Sequence, residues 1–183
     1  MFSTGSMIKN RKVENIADRI TQVHKLYLQR GFNITYMHTD CEFEPLRKEM
    51  TALGINLNCV SKKKHVPTIE RFIRTVKERV RSVRATMPFN RISKLMIVHL
   101  VASDIFWLNA FSPSTPVAGL SDTKGPVQFI LGNIVDYKNV CRLQPGEYVQ
   151  VYQEDDPRNT ISVDRTVGAI TLGPQHNLQG GFF

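Results

Sequence analysis

With 183 residues, 42% of them hydrophobic, the chain is long and apolar enough for one packed domain with a small companion, which excludes a disordered protein. Its three cysteines are odd in number and scattered, which argues against a disulfide framework or a zinc cluster and favours a reducing compartment. The formal charge of +8 is uneven: residues 1–112 carry +10 and residues 113–183 carry −2, so an anionic partner is expected for the first part.

Helix-type and strand-type patterns alternate in the first third of the chain. Apolar residues at helical spacing predict a helix over 14–30, with Gly31 as its C-terminal cap, and period-two alternation predicts a strand over 32–37. A second helix is expected over 43–53 and a second strand over 55–60. Because the helix would return the chain to its starting side, we expect the two strands to lie beside each other.

A long basic helix is predicted next, from Pro67, which suits a first helical position, to about Thr86. At about 100° per residue its side chains separate into two faces. Glu70 opens the polar face, which continues as a row of cations. The apolar face is expected to pack on the sheet and consists of Ile69, Phe72, Ile73, Val76, Val80 and Val83.

The run over 92–111 is the most apolar of the chain and predicts a core helix. It is too short and too often interrupted to span a bilayer comfortably, and its His99 and Asp104 are expected to have satisfied structural roles. Proline density then indicates a linker over 113–124. Beyond it, short runs separated by glycine and proline predict strands over 127–131, 133–137, 148–152 and 167–172.

Two acids stand at positions typical of a metal site. Asp40 follows the first strand pattern, and Glu70 lies in the first turn of the basic helix. A rigid strand end and a helix face can hold two carboxylates opposite each other, as two-metal phosphoryl transfer requires. The alternatives are structural, because Asp40 could cap the following helix and Glu70 could favourably oppose the helix dipole and pair with Arg74.

These acids lie in two motifs, Thr39-Asp40-Cys41-Glu42-Phe43 and Pro67-Thr68-Ile69-Glu70-Arg71. The motifs resemble the second Asp and the Glu of the Asp-Asp-Glu triad of retroviral-type integrases. The resemblance is to the integrase segment of copia-type retrotransposon polyproteins, and it covers about residues 8–111. It implies an RNase H-like fold, Asp40 and Glu70 as catalytic residues and ligands of Mg²⁺ or Mn²⁺, DNA as the substrate, and a homo-oligomer. This chain by itself is not expected to bind the ion stably.

The sequence departs from the family pattern in three respects. The glycine-containing turn that usually follows the second Asp is reduced, and the spacer to the Glu is shorter than usual. The triad's first Asp belongs on a strand of an opening hairpin, whereas the only earlier Asp of this chain, Asp18, lies within the first predicted helix. The chain is therefore expected to lack that hairpin and to be an integrase segment truncated at both ends.

Cations flank Glu70 in the sequence. Lysines precede the basic helix, and its polar face carries cations at i+3 and i+4, where like charges repel one another unless an anion neutralises them. Contacts with DNA phosphates are expected, without sequence preference because no base-reading motif is present. The alternative is an ordinary solvated face. The predicted nucleic-acid-binding residues are Lys62, Lys63, Lys64, Arg71, Arg74, Lys77, Arg81 and Arg84.

The sequence thus predicts an α/β protein with an incomplete RNase H-like core over 1–112, a linker over 113–124 and a small β-rich segment over 125–183. The resemblance implies a fragment of a retrotransposon integrase, an enzyme of DNA integration by metal-dependent phosphoryl transfer, expected to be inactive without its first Asp. The alternative is a non-catalytic nucleic-acid-binding relic, and a third reading is a protein-interaction module built on the apolar helix. No secretory signal or membrane span is visible, so a nuclear or cytoplasmic protein is expected.

Overall fold

The computed structural model of the chain describes residues 2–60, 67–111, 124–132, 134–152, 164–175 and 181–183. Helices and strands are mixed among these residues, which confirms the α/β class in its general sense. Packing divides the chain into two compact units. The first unit comprises Met1–Glu78 with Ile105–Ile134, and the second comprises Arg79–Asp104 with Val135–Phe183.

The first helix, α1, spans Val13–Gln29 and confirms the helix predicted over 14–30. Gly31 follows it with a φ of 79°, a left-handed conformation that favours a residue without a Cβ. The Gly31 N–H donates to the carbonyl of Leu28 and closes the last turn, so the predicted glycine cap is also confirmed.

Two short strands, β1 (Tyr36–Asp40) and β2 (Asn56–Val60), pair in parallel. Between them the chain forms a 3-10 helix (Cys41–Leu46) and then helix α2 (Arg47–Ala52). Parallel neighbours cannot be joined by a tight turn and need a crossover of about a dozen residues or more, which these helices supply. The prediction that the two strands lie beside each other is confirmed.

Two boundaries differ from the sequence prediction. β1 begins at Tyr36 rather than at residue 32 because a strand extends only where it has a partner, and the pairing starts where Asn56 N–H donates to the Thr35 carbonyl at 2.9 Å. The second predicted helix begins as a 3-10 helix that contains Pro45. Proline removes a backbone donor and disfavours α geometry in the preceding residue, so regular α-helix starts only at α2.

The core of the first unit lies on one side of the strand pair. Leu46 and Met50, from the connection between the strands, are buried with Ile55 and Leu57. Partly buried apolar side chains of α1 pack against this cluster. The connection between the strands therefore contributes much of the core that stabilises them.

Helix α3 (Pro67–Thr86) has the predicted bounds, and α4 (Lys94–Ala110) confirms the predicted apolar helix. Along the apolar stripe of α3, Val76 is buried, whereas Ile69 and Ile73 are 46% and 44% exposed. The stripe is therefore covered less completely than the sequence predicted. Within the described ranges, none of the helices combines the length and the apolar character needed to cross a lipid bilayer.

The segment after the predicted linker contains an antiparallel strand pair, β3 (Tyr148–Tyr152) with β4 (Thr166–Ile170). It confirms the strands predicted over 148–152 and 167–172. Of the predicted linker only Lys124 is described, so the predicted domain boundaries stay a prediction.

The strand predicted over 127–131 is wrong, because Pro126–Leu131 forms helix α5. Pro126 opens its first turn and Gly132 ends it with a φ of 69°, and these are strong local signals for the two ends of a helix. A short apolar run cannot be assigned to strand or helix from periodicity alone.

The strand predicted over 133–137 is also wrong. Tyr137 begins a short helix, α6 (Tyr137–Val140), and Asn133 lies outside the described residues. The Asp136 side chain accepts from the backbone N–H of Asn139 and caps α6. The predicted β-rich character of 125–183 therefore holds for the β3–β4 pair and not for the described residues before it.

Replacing Met50 by alanine tests the position of the core. Met50 is fully buried, so Met50→Ala should lower the free energy of unfolding by about 2–5 kcal/mol through reduced burial and a residual cavity. The control is Met7→Ala, because Met7 is 62% exposed and should change stability by only about 0.5 kcal/mol. Urea unfolding measures both changes, and equal effects of the two substitutions would contradict the assigned core.

Candidate metal and nucleic-acid site

Asp40 is the last residue of β1 and lies opposite Val60, at the end that the two parallel strands share. Thr39 is buried and Asp40 is exposed, because successive side chains of a strand point to opposite faces. Asp40 occupies the N-cap position of the 3-10 helix, but its side chain makes no capping hydrogen bond. The capping role weighed as an alternative therefore finds no support in the geometry.

His38 and Tyr36 share the exposed face of β1 with Asp40. A His38 ring nitrogen lies 3.2 Å from the amide nitrogen of Asn58, the residue directly opposite on β2. The rings of Tyr36 and His38 meet edge to face with centroids 4.7 Å apart. The strand alternation alone placed these three side chains on one face, and the hydrogen bond to Asn58 could not be predicted without the register.

Glu70 lies in the first turn of α3 and is exposed, as predicted. The chain that joins β2 to α3, residues 61–66, lies outside the described residues. Among the residues that are described, no three His, Cys, Asp or Glu side chains are grouped so as to hold a metal ion, and Asp18 lies on α1. The predicted meeting of Asp40 with Glu70 stays a prediction.

The cations of α3 are exposed. One of them, Arg74, donates from Nε to the Glu78 carboxylate at 3.0 Å, with the two side chains 80% and 58% exposed. Such an exposed i,i+4 pair contributes little stability and is readily exchanged for another anion. The pair was not predicted, although its spacing is visible in the sequence. Lys62, Lys63 and Lys64 lie outside the described residues, and the exposed members of the predicted set are Arg71, Arg74, Lys77, Arg81 and Arg84.

A polar cluster that was not predicted lies directly after Asp40. Arg47 donates from Nε and Nη2 to the two carboxylate oxygens of Glu44 at 2.5 and 2.8 Å. Its third nitrogen, Nη1, donates to the backbone carbonyl of Leu57 in β2 at 3.0 Å. We call these three groups the Glu44–Arg47 clamp. The i,i+3 spacing of Glu44 and Arg47 is visible in the sequence, whereas the contact with Leu57 is not.

The pKa values of the Glu44 carboxyl and of the nearby Cys59 thiol are shifted. Hydrogen bonds from Arg47 and then from Cys59 lower the pKa of the Glu44 carboxyl from an ordinary 4.5 to about 2. Burial, and then the hydrogen bond to Glu44, raises the pKa of the Cys59 thiol. The Cys59 sulfur also lies 3.5 Å from the hydroxyl of Thr39, the residue before Asp40.

Two buried polar side chains have an atom without a hydrogen-bond partner within the described part of the chain. They are His24, through Nε2, and Asp104, through Oδ2. Burial raises the pKa of the Asp104 carboxyl, and the charge of Arg79 opposes that shift. The prediction that Asp104 has a structural role with its hydrogen bonds satisfied is therefore wrong for Oδ2. A buried oxygen without a hydrogen-bond partner lowers the stability of the folded protein.

Changing Arg47 to glutamine tests the origin of the Glu44 shift. Without the guanidinium, the pKa of Glu44 should rise from about 2 towards 4.5, as measured by carboxyl NMR during a pH titration. The pKa of Glu44 in the folded protein lies below its ordinary value. The interaction of Glu44 with Arg47 should therefore stabilise the folded protein above about pH 4.5, and this stabilisation should disappear as the pH falls through about 2. Arg19→Gln removes the same charge from α1 as a control, and an equal rise of the Glu44 pKa in that variant would contradict the assignment.

No protein-family model matches the chain, and no curated protein matches its sequence. The integrase resemblance rests on the two motifs that contain Asp40 and Glu70 and stays a hypothesis.

Proposed function

We propose that this chain contributes two metal-binding carboxylates and a DNA-binding helix to an integrase-type site for metal-dependent phosphoryl transfer, within an RNase H-like core. The observation that carries the proposal is the position of Asp40. It ends a parallel strand at the end shared with β2, it is exposed, and its side chain makes no capping hydrogen bond. A rigid strand end of this kind holds a carboxylate in a defined place for an incoming cation.

In this function Asp40 and Glu70 hold the metal through carboxylate oxygens. Bound Mg²⁺ or Mn²⁺ would activate the attacking oxygen and neutralise charge on the leaving oxygen of an in-line displacement at phosphorus. The described residues supply no group of three metal-binding side chains around these acids. We therefore propose that activity requires one more carboxylate, the first Asp of the triad pattern.

The cations of α3 bind DNA phosphates in this proposal. At about 100° per residue, Arg74, Lys77, Arg81 and Arg84 fall within about 80° of one another around the helix axis. All four are exposed, so a phosphate backbone can reach them without rearrangement of the core. The sequence-independent attraction of such a row for a polyanion falls steeply with salt.

A second candidate function is non-catalytic binding of nucleic acid. It is favoured by the exposed cation row together with the lack, among the described residues, of a three-ligand metal group. Both candidates predict DNA binding, and they differ in whether Asp40 and Glu70 bind metal and support chemistry.

The cation row predicts salt-dependent binding to duplex DNA without sequence preference. Replacing Lys77, Arg81 and Arg84 together by alanine should reduce the slope of log affinity against log salt by about 0.9 for each DNA phosphate that is no longer neutralised, or roughly three units in total. Fluorescence anisotropy over a salt series measures this slope. The matched control replaces Arg19, Lys25 and Lys48, which removes the same charge from other exposed positions. An equal reduction in both triple variants would show that only net charge matters and would reject the α3 face.

Strand joining tests the catalytic half of the proposal. With Mg²⁺ or Mn²⁺ the chain by itself should show no joining of a labelled DNA end to target DNA, because Asp40 and Glu70 alone would not hold the pair of ions that such an in-line displacement uses. Adding a β-hairpin that carries an Asp ahead of Met7 should produce activity, and Asp40→Asn or Glu70→Gln should abolish it while leaving DNA affinity unchanged. Activity that persists in Glu70→Gln would show that another acid is the ligand.

A further inference from the structure

The Glu44–Arg47 clamp links the connection between the strands to β2. Arg47 donates to the Leu57 carbonyl in β2, and Cys59 lies two residues further along the same strand. Cys59 contacts Thr39 in β1, its direct partner in the parallel register. The connection is thus tied to β2 at Leu57, and β2 is tied at Cys59 to the residue that precedes Asp40.

The Leu57 carbonyl lies on the outer edge of β2. Asn56 N–H donates to Thr35, on the β1 side, and backbone groups alternate between the two edges of a strand, so those of Leu57 point away from β1. On that edge Arg47 donates a hydrogen bond to the Leu57 carbonyl, which the backbone of a third strand could otherwise reach. A bidentate pair with Glu44 holds the guanidinium plane in one orientation, which a single charge contact would not do.

We propose that Arg47 is a positioning residue for Asp40: the Glu44–Arg47 clamp holds the shared end of β1 and β2 in register, and the register fixes where the Asp40 carboxylate meets a divalent cation. The inference rests on the proposed function, since it assigns Arg47 a role in the same site. Residues that orient a metal ligand without touching the metal typically change affinity about 10- to 100-fold when they are replaced.

The direction of the effect separates positioning from simple electrostatics. Removing a cation near a metal site should strengthen binding of a divalent cation, because a repulsive charge is removed. A positioning residue predicts the opposite, weaker binding. The substitution Arg47→Lys keeps the charge but removes the planar fork that contacts Glu44 and Leu57 at once, so it should weaken binding through geometry alone.

The experiment measures the dissociation constant of Mn²⁺ by electron paramagnetic resonance of the free ion, under conditions where each variant is folded by circular dichroism. Arg47→Lys and Arg47→Gln should each raise the constant about tenfold, and the control Arg19→Gln should leave it unchanged. A merely structural role would lower the free energy of unfolding without changing Mn²⁺ affinity in the folded protein. Unchanged or tighter Mn²⁺ binding in both Arg47 variants would overturn the positioning role while the proposed metal site stands.

Failure of the metal site itself has a different signature. If the unmodified chain binds Mn²⁺ no better than Asp40→Asn, the metal site of the proposed function fails, and the positioning role is overturned with it. Amide hydrogen exchange without metal gives a second measurement if Arg47→Gln folds poorly. In Arg47→Lys the amides of Met37 and Thr39, which alternation places on the β2 side of β1, should exchange at least several-fold faster, while those of α1 remain unchanged. An equal change of the exchange rate in β1 and in α1 would also overturn the role of the clamp.

Discussion

The parallel pairing of β1 with β2 is the constraint on which the first unit depends. Parallel strands cannot be joined by a tight turn, so the chain after Asp40 must travel back along the sheet before Asn56 can pair. It does so as a 3-10 helix followed by α2, and these turns carry Leu46 and Met50 into the core. Strand pairing and core packing are therefore linked, because the connection that parallel pairing requires also supplies Leu46 and Met50 to the core.

The pairing also decides which side chains are available for chemistry. Alternation along β1 buries Thr39 and exposes Asp40, so a carboxylate can stand at the strand end without the cost of burying a charge. The first turn of the 3-10 helix that follows donates no hydrogen bond to the Asp40 side chain. A strand end that is fixed by packing and still open to solvent is a suitable place for a metal ligand.

Two kinds of electrostatic interaction operate in the chain. The cations of α3 are exposed, and an exposed pair such as Arg74 with Glu78 contributes little stability. The Glu44–Arg47 clamp differs because three nitrogens of one guanidinium have fixed partners, one of them a backbone carbonyl. The first arrangement suits a mobile ligand, and the second suits a fixed geometry.

Local signals in the sequence were sufficient to predict α1, α3 and the pairing of β1 with β2. Helical spacing, a glycine cap such as Gly31 and a first-turn proline such as Pro67 each determine the structure of only the few residues around them. They also placed Asp40 at a strand end and Glu70 in a first turn. They failed at Pro126–Leu131, where a short apolar run suits strand and helix equally and the flanking residues decided the outcome.

Only the tertiary structure decided the start of β1 and the contact between Arg47 and the Leu57 carbonyl. Each depends on which residues the register brings together from distant parts of the chain. A one-residue shift of that register would turn every side chain of a strand to the opposite face, so residue spacing alone cannot specify such contacts.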